Sequence, residues 1–222
     1  MKKNGIIAAF IIVILGVMGW NVYQHNQSSE QSAQPKSSSS KKQSAKVDRN
    51  TNKKDKILIV YFSRAGQNYG GSNLKIGNTH RIANYIAART GGDKYEIVPA
   101  KKYPTSYQAT ADQAEKEQQN NARPKIKNAL PDVSKYQTIF IGYPIWWNES
   151  PMIVRTFLEH VDLKDKQVVP FVTHGGSGFG DSLAILKREC PKAKFLKGFQ
   201  IDGSQASHAQ GKVNSWLDSI GF

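Results

Sequence analysis

Beyond residue 56 the chain is punctuated by five short apolar runs, at 57–62, 95–98, 138–142, 168–172 and 195–201. The first, Ile57-Leu58-Ile59-Val60-Tyr61-Phe62, is continuous, rich in β-branched residues and only six residues long. Such a run suits a strand covered on both faces in a parallel sheet. Between the runs, apolar positions return every three or four residues over 79–90, 106–121, 151–160, 181–190 and 207–220, which is helical spacing. Five strands alternating with five helices predict an α/β domain over residues 56–222, with a doubly wound, five-stranded parallel sheet. In such sheets ligands bind beyond the carboxyl ends of the strands, so the loops after the first, third and fourth runs are the place to look.

The first 55 residues follow other patterns. Lys2 and Lys3 precede an apolar run from Gly5 to Trp20, extended by Val22 and Tyr23. As a helix this segment spans roughly 28 Å at ~1.5 Å per residue, just enough for a bilayer. The two lysines on the short side place the amino end in the cytoplasm and the remainder outside, with Trp20 and Tyr23 at the far interface. Residues 1–23 therefore read as a membrane anchor. A cleaved signal segment, with secretion of the remainder, is the alternative, although Gly19-Trp20-Asn21-Val22-Tyr23 offers no small-x-small cleavage site. Residues 24–55 are dominated by Ser, Gln, Lys and Asn, a composition that cannot bury enough surface to order a chain, and read as a disordered linker.

Charge narrows the partners. Residues 1–56 hold ten Lys and Arg against three acidic residues, and the remaining 166 hold 21 against 14, so each part carries +7. The second excess is spread along the chain with no basic helix, which argues against nucleic acid as a partner. The single Cys190 excludes an internal disulfide, a thiolate-rich zinc site and a cysteine-held iron–sulfur cluster. His25, His80, His160 and His208 show no i, i+4 pairing, so no metal site is expected.

The three loops carry the chemistry. The first runs Ser63-Arg64-Ala65-Gly66, passes Gly70, Gly71 and Gly77, and enters a helix at Asn78-Thr79. Hydroxyls, glycines and the open amides of a helix start together favour an anion, although Thr79 as a plain helix cap explains the pattern equally well. Neither GxxxxGK[ST] nor GxGxxG is present, so a phosphate monoester fits better than a nucleoside triphosphate or a dinucleotide. The third loop, Tyr143-Pro144-Ile145-Trp146-Trp147-Asn148-Glu149-Ser150-Pro151, sets two adjacent tryptophans between prolines. Flat rings there invite a planar ligand, with a hydrophobic plug or a partner contact as the alternative. Asn148 tolerates a positive φ. The fourth loop, Thr173-His174-Gly175-Gly176-Ser177-Gly178-Phe179-Gly180-Asp181, has four glycines that let backbone amides approach a ligand. His174 suits either a ligand contact or a structural hydrogen bond.

With YFSRxG at 61–66 and PIWW at 144–147 in this order, the region from about Lys56 to Phe222 resembles the flavodoxin-like family. The resemblance implies FMN as the cofactor. Ser63, Arg64, Asn78 and Thr79 would line its phosphate. Pro144, Ile145, Trp146, Trp147 and Asn148 would flank the isoalloxazine ring, and Thr173, His174, Gly175, Gly176 and Ser177 would meet its polar edge. Two departures stand out. The first loop is lengthened by the ten residues 67–76, and the domain is basic where the electron-carrying members are acidic. The stretch from Lys101 to Asn121, with Tyr103 and Tyr107, is expected to be a surface helix, with a place bordering the ring as the alternative. The function implied is a membrane-tethered FMN protein that carries electrons outside the cytoplasm, to a redox partner protein or a quinone. An FMN-dependent NAD(P)H:quinone-type reductase is the alternative.

Overall fold

The chain folds, in order, into β1 (Ile57–Tyr61), the short ribbon strands β2 (Gly66–Gln67) and β3 (Asn73–Leu74), α1 (Asn78–Thr90), β4 (Asp93–Glu96), α2 (Tyr107–Gln119), β5 (Thr138–Pro144), α3 (Met152–Glu159), β6 (Gln167–His174), α4 (Ser182–Glu189), β7 (Lys194–Phe195), β8 (Phe199–Asp202) and α5 (Gln210–Ser219). The computed structural model describes residues 56–222; the expected anchor at 1–23 and linker at 24–55 lie outside the described residues. Among the described residues no helix is long and apolar enough to cross a membrane.

The large sheet runs β4-β1-β5-β6, with β7 and β8 both beside β6, and every pairing in it is parallel. Alternation along the strands sorts the core into two layers. Leu58, Val60, Phe62, Ile139, Ile141, Tyr143, Val168 and Val172 pack under Ile153, Val154 and Phe157 of α3 and Leu186 of α4. Ile59, Tyr61, Phe140, Val169 and Phe171 face Ile82, Ala83 and Ile86 of α1 and Val213, Trp216 and Leu217 of α5. Gly142 belongs to this second face, and a Cβ there would lie 2.0 Å from the Phe171 ring, so the glycine makes room for the phenyl group. Cys190 is buried, and burial followed by the neighbouring Glu189 charge pushes its thiol up to about 11.

The expectation of one continuous fifth strand is corrected. That position in the sheet is shared by two short strands: β7 pairs with Gln167 and Val168, and β8 with residues 171–174 of β6. The break has a local cause. Leu196 donates its amide to the Val168 carbonyl at 3.0 Å, so in the alternating ladder Pro170 also faces this side. Proline has no N–H to offer there. Gly198 closes the gap, because a Cβ on it would lie 2.9 Å from both the ring and the carbonyl oxygen of Pro170.

The strand order reverses between β1, whose chain next goes to β4 on one side, and β5 on the other. The carboxyl ends of β1, β5 and β6 and the loops that leave them thus meet at one crevice.

Candidate functional site

A cavity of about 580 Å³ opens at that crevice, a volume within the ~300–1,000 Å³ range of small-molecule sites. Of the residues singled out from the sequence, Arg64, Asn78, Pro144, Ile145, Trp146, Trp147, Thr173, His174, Gly175 and Ser177 line it. Ser63, Thr79, Asn148 and Gly176 do not.

The first loop is shaped by Gly77. A Cβ on Gly77 would lie 2.2 Å from Ser63 Oγ and 2.6 Å from the Arg64 carbonyl oxygen, so only glycine lets the chain turn there into α1. Ser63 Oγ accepts the His80 amide at 3.1 Å, which fixes the loop to the first turn of the helix and leaves the hydroxyl proton to donate. The amides of Asn78 and Thr79 have no acceptor among the described residues, which leaves two donors at the positive end of the helix dipole. Thr79 itself is buried, and its Oγ1 lies 2.8 Å from Thr173 Oγ1. Its hydroxyl ties α1 to β6, and its amide is free for an anion.

Arg64 departs further from expectation. Its Nε donates to the Pro104 carbonyl at 3.0 Å, and Nη2 to the carbonyls of Thr105 at 2.7 Å and Ser106 at 3.2 Å, while Nη1 meets the Gln67 carbonyl. Burial holds this guanidinium below its ordinary pKa. The donors that a phosphate would need are used to lash the lengthened loop to the segment entering α2. Gln67 strengthens the seam, since its amide donates to the Thr105 carbonyl at 3.1 Å. The lengthened loop is thereby a built ribbon, β2 against β3, capped by the turn Tyr69-Gly70-Gly71.

In the third loop Trp146 and Glu149 exchange backbone hydrogen bonds at 2.9 and 3.0 Å around a two-residue turn. Trp147 and Asn148 both have positive φ, 48° and 66°, the signature of a type I′ turn. Asn148 does adopt the backbone expected of it, but its side chain is taken by α4. Its Nδ2 donates to Asp181 Oδ2 at 2.7 Å, and its carbonyl accepts the Asp181 amide at 2.8 Å, which turns it away from the cavity. A left-handed tryptophan costs on the order of 1–3 kcal/mol. Trp147 is held there by its indole Nε1, which donates to the Ala111 carbonyl of α2 at 2.9 Å.

In the fourth loop the Gly176 amide donates to His174 Nδ1 at 2.9 Å, which spends that amide and leaves the proton of a neutral ring on Nε2. Gly175 has a separate reason to lack a side chain: its Cβ would lie 2.6 Å from Cδ1 of Tyr69, whose ring rests on this peptide.

Three further groups of residues line the cavity, of which the sequence reading names only Tyr107, as the alternative border of the ring. Tyr69 and its neighbours come from the ribbon, Tyr107, Thr110 and Ala111 from α2, and Asp202, Gly203 and Ser204 from the end of β8. The expectation of a surface helix over 101–121 is therefore corrected in favour of its alternative, because the first turns of α2 wall the cavity. The loop after the fifth apolar run was detectable from its Asp-Gly-Ser sequence. Asp202 accepts the Ser204 hydroxyl at 2.6 Å and amide at 2.8 Å, and these bonds hold its carboxyl below the usual carboxylate range. With Arg64 and Asp202 both engaged, an anion in the cavity must rely on amides, hydroxyls and the helix dipole.

Comparison with known proteins agrees with this architecture. The flavodoxin family profile matches residues 56–220. A candidate flavoprotein from Bacteroides eggerthii DSM 20697 is 34% identical with a TM-score of 0.61, over 76% of this chain and 99% of its own. A second, from Bacteroides uniformis ATCC 8492, is 32% identical with a TM-score of 0.61, over 74% of this chain and 98% of its own. The flavoprotein of Lactobacillus acidophilus NCFM, solved in complex with FMN, shares the fold at 20% identity and a TM-score of 0.53, over 69% of this chain and 97% of its own. No curated protein matches the sequence. With the profile spanning residues 56–220 and two relatives above 30% identity, the chain belongs to the flavodoxin family.

Proposed function

We propose that the protein binds FMN in this cavity and passes electrons, held at the membrane by residues 1–23 with the domain on the extracytoplasmic side. One observation carries the FMN assignment. A single cavity combines the open start of α1, where Asn78 stands, with the wall made by Pro144, Ile145 and Trp146. A phosphate fits the first set of groups, since two unengaged amides and the helix dipole favour an anion without a cation. A flat ring fits the second, where apolar side chains line one wall. The family membership points the same way.

Bound FMN would supply the redox chemistry; the protein supplies binding, orientation and polarity. The amides of Asn78 and Thr79 would hold the phosphate. Pro144, Ile145 and Trp146 would exclude water from the ring. Ser177 and the Nε2–H of His174 would present donors to its polar edge. The turn at 146–149 is clamped from α2 and from α4, so the ring would meet a preformed wall.

Titration of the full-length protein with FMN should quench tryptophan fluorescence and saturate at about one FMN per chain. Riboflavin, lacking the phosphate, should bind roughly 10- to 100-fold more weakly, the equivalent of ~1.5–3 kcal/mol for charge-assisted hydrogen bonds. A protein indifferent to FMN would overturn the assignment, and equal affinities would remove α1 as the phosphate site.

The tether rests on Lys2 and Lys3 ahead of the apolar run and on the polar stretch 24–55. Protease added to intact spheroplasts should release the domain and leave a short membrane stub. A domain that resists until lysis is cytoplasmic, and the outward role fails. The second reading, an FMN-dependent reductase of quinone-type acceptors, is favoured by the aromatic rim of the cavity.

A further inference from the structure

The basic residues of the domain are spread along the sequence, but the fold gathers several of them behind α2. Beyond β4 the segment 98–100 runs antiparallel to 125–127. Ala100 donates its amide to the Lys125 carbonyl at 2.8 Å, Lys127 donates its own to the Val98 carbonyl at 2.7 Å, and Pro99 and Ile126 pair between them. This ladder brings Lys101 and Lys102 beside Lys125 and Lys127, all four exposed. Like charges held together cost stability unless an opposite charge comes between them.

Between the ladder and α2 lies a groove of about 950 Å³, larger than the cavity assigned to FMN. Its apolar lining is Tyr103, Ala109, Ala122 and Pro124, and its four cations, Lys101, Lys116, Arg123 and Lys125, stand against two carboxylates. Both carboxylates are engaged within the chain. Glu117 accepts the Tyr103 hydroxyl at 2.7 Å on one oxygen and Gln113 Nε2 at 2.8 Å on the other, while Asp112 accepts Gln108 Nε2 at 2.7 Å. Arg123 is paired with Glu159, outside the groove. The three lysines find no acceptor among the described residues, whereas Lys94, Lys135, Lys166 and Lys212 each find one. A cleft lined by an excess of one sign focuses its field and draws in the opposite charge. A flat layer of headgroups would meet the lysines but not the apolar lining of a recess; a protruding polypeptide meets both.

We propose that the groove behind α2 is a docking surface for a partner protein, entered by an acidic segment that carries apolar side chains among its carboxylates. The surface is distinct from the FMN cavity. Ala109, Asp112, Gln113 and Lys116 of α2 line the groove, whereas Tyr107, Thr110 and Ala111 line the cavity, so the helix is the partition between them. Tyr103, whose ring lies 5.1 Å from that of Trp146, connects the groove to the cavity wall. A docked partner therefore stands against the flavin site without entering it. The assignment is read from the groove alone and does not depend on FMN.

The test uses the full-length protein in a mild non-ionic detergent and, as probe, a fluorescently labelled copolymer of glutamate and tyrosine. The salt is ~0.1 M, at which charges more than about 10 Å apart are largely screened. The titration is run with and without FMN, so that it reads the groove whatever happens at the cavity. Anisotropy should rise saturably, and poly-L-glutamate, which lacks the apolar rings, should bind about tenfold more weakly. Lys101→Glu together with Lys125→Glu should weaken the copolymer at least about tenfold. Lys192→Glu together with Lys194→Glu, the same change of net charge at the amino end of β7, should weaken it less than about threefold. Ala109→Trp fills the groove without changing its charge and should cost about tenfold. Far-ultraviolet circular dichroism of each variant should match that of the unmodified protein. Equal losses in the two charge-reversed pairs, or an Ala109→Trp variant that binds normally, would mean diffuse attraction to a basic domain and would overturn the groove. Displacement of the copolymer when phosphatidylglycerol is added to the micelles would give the lysines to the membrane surface and overturn the protein partner.

Discussion

Arg155→Ala is expected to lower the unfolding free energy by about 3 kcal/mol at pH 7, the low end of the cost of removing one partner from a buried ion pair, because Glu189 keeps 21% of its side chain exposed. Arg155 lies on α3 with its side chain 11% exposed, its Nε 3.0 Å from Glu189 Oε1 and its Nη2 3.5 Å from Glu149 Oε2. Burial raises the carboxyl of Glu189 above its ordinary pKa, and Arg155 pulls it back, helped by Arg123 and Arg188 and opposed by Glu159. The folded pKa thus exceeds the unfolded one, so the native state binds more protons and this group's contribution falls as pH rises through that window. Without Arg155 the folded pKa climbs further. The deficit of the variant should therefore be largest near neutral pH and shrink in acid, where Glu189 is protonated. Urea midpoints at pH 5 and pH 7 check this, and Glu189→Gln added to Arg155→Ala should recover part of the loss at pH 7. A deficit that does not change with pH would mean that lost packing, not the stranded carboxylate, is responsible. Because Glu149 belongs to the turn that carries both tryptophans, FMN affinity should fall as well.

The elements were legible because their signals are local. The run at 57–62 became β1, and the helical spacing at 79–90 became α1 with only its first residue added. The switch point was legible too, since the order of alternating strands and helices dictates which loops meet there. What the pattern could not carry was the destination of each side chain. Arg64 sits in a motif suited to a phosphate, yet its acceptors at 104–106 lie about forty residues away and come near only through the ribbon. Asn148 shows the same division: its positive φ follows from residue type, but its side-chain partner Asp181 belongs to the following strand–helix unit. Thr79 was a cap candidate on local grounds and found a hydroxyl on β6 instead. Tyr107 heads a helix whose amphipathic pattern has few large apolar residues, and only the lengthened first loop, folded back onto it, makes it part of a wall.

The two adjacent tryptophans, equivalent in sequence, should behave as opposites. Trp146 meets Phe62 edge-on at 5.4 Å and Tyr103 at 5.1 Å, and so joins the end of β1 to the segment before α2. Tyr103 is itself pinned, its hydroxyl donating to Glu117 Oε2 at 2.7 Å. Trp146→Ala would empty the centre of this three-ring cluster, and a loss of about 3 kcal/mol is expected for a large aromatic truncated against packed neighbours. At a urea slope of roughly 2 kcal/mol/M this is a fall of about 1.5 M in the midpoint. FMN affinity should drop at least about tenfold, since the ring lost from the cavity wall is the one braced by the core. Trp147 is half exposed at a positive φ, so Trp147→Gly trades an indole hydrogen bond worth ~1 kcal/mol for the relief of a comparable backbone strain. Its stability should be unchanged within about 1 kcal/mol, while FMN affinity falls because its ring lines the same cavity. If Trp147→Gly instead proves the more destabilising change, the turn is held chiefly by the indole's grip on α2. The cavity wall would then depend on the exposed ring and not on the one braced by the core.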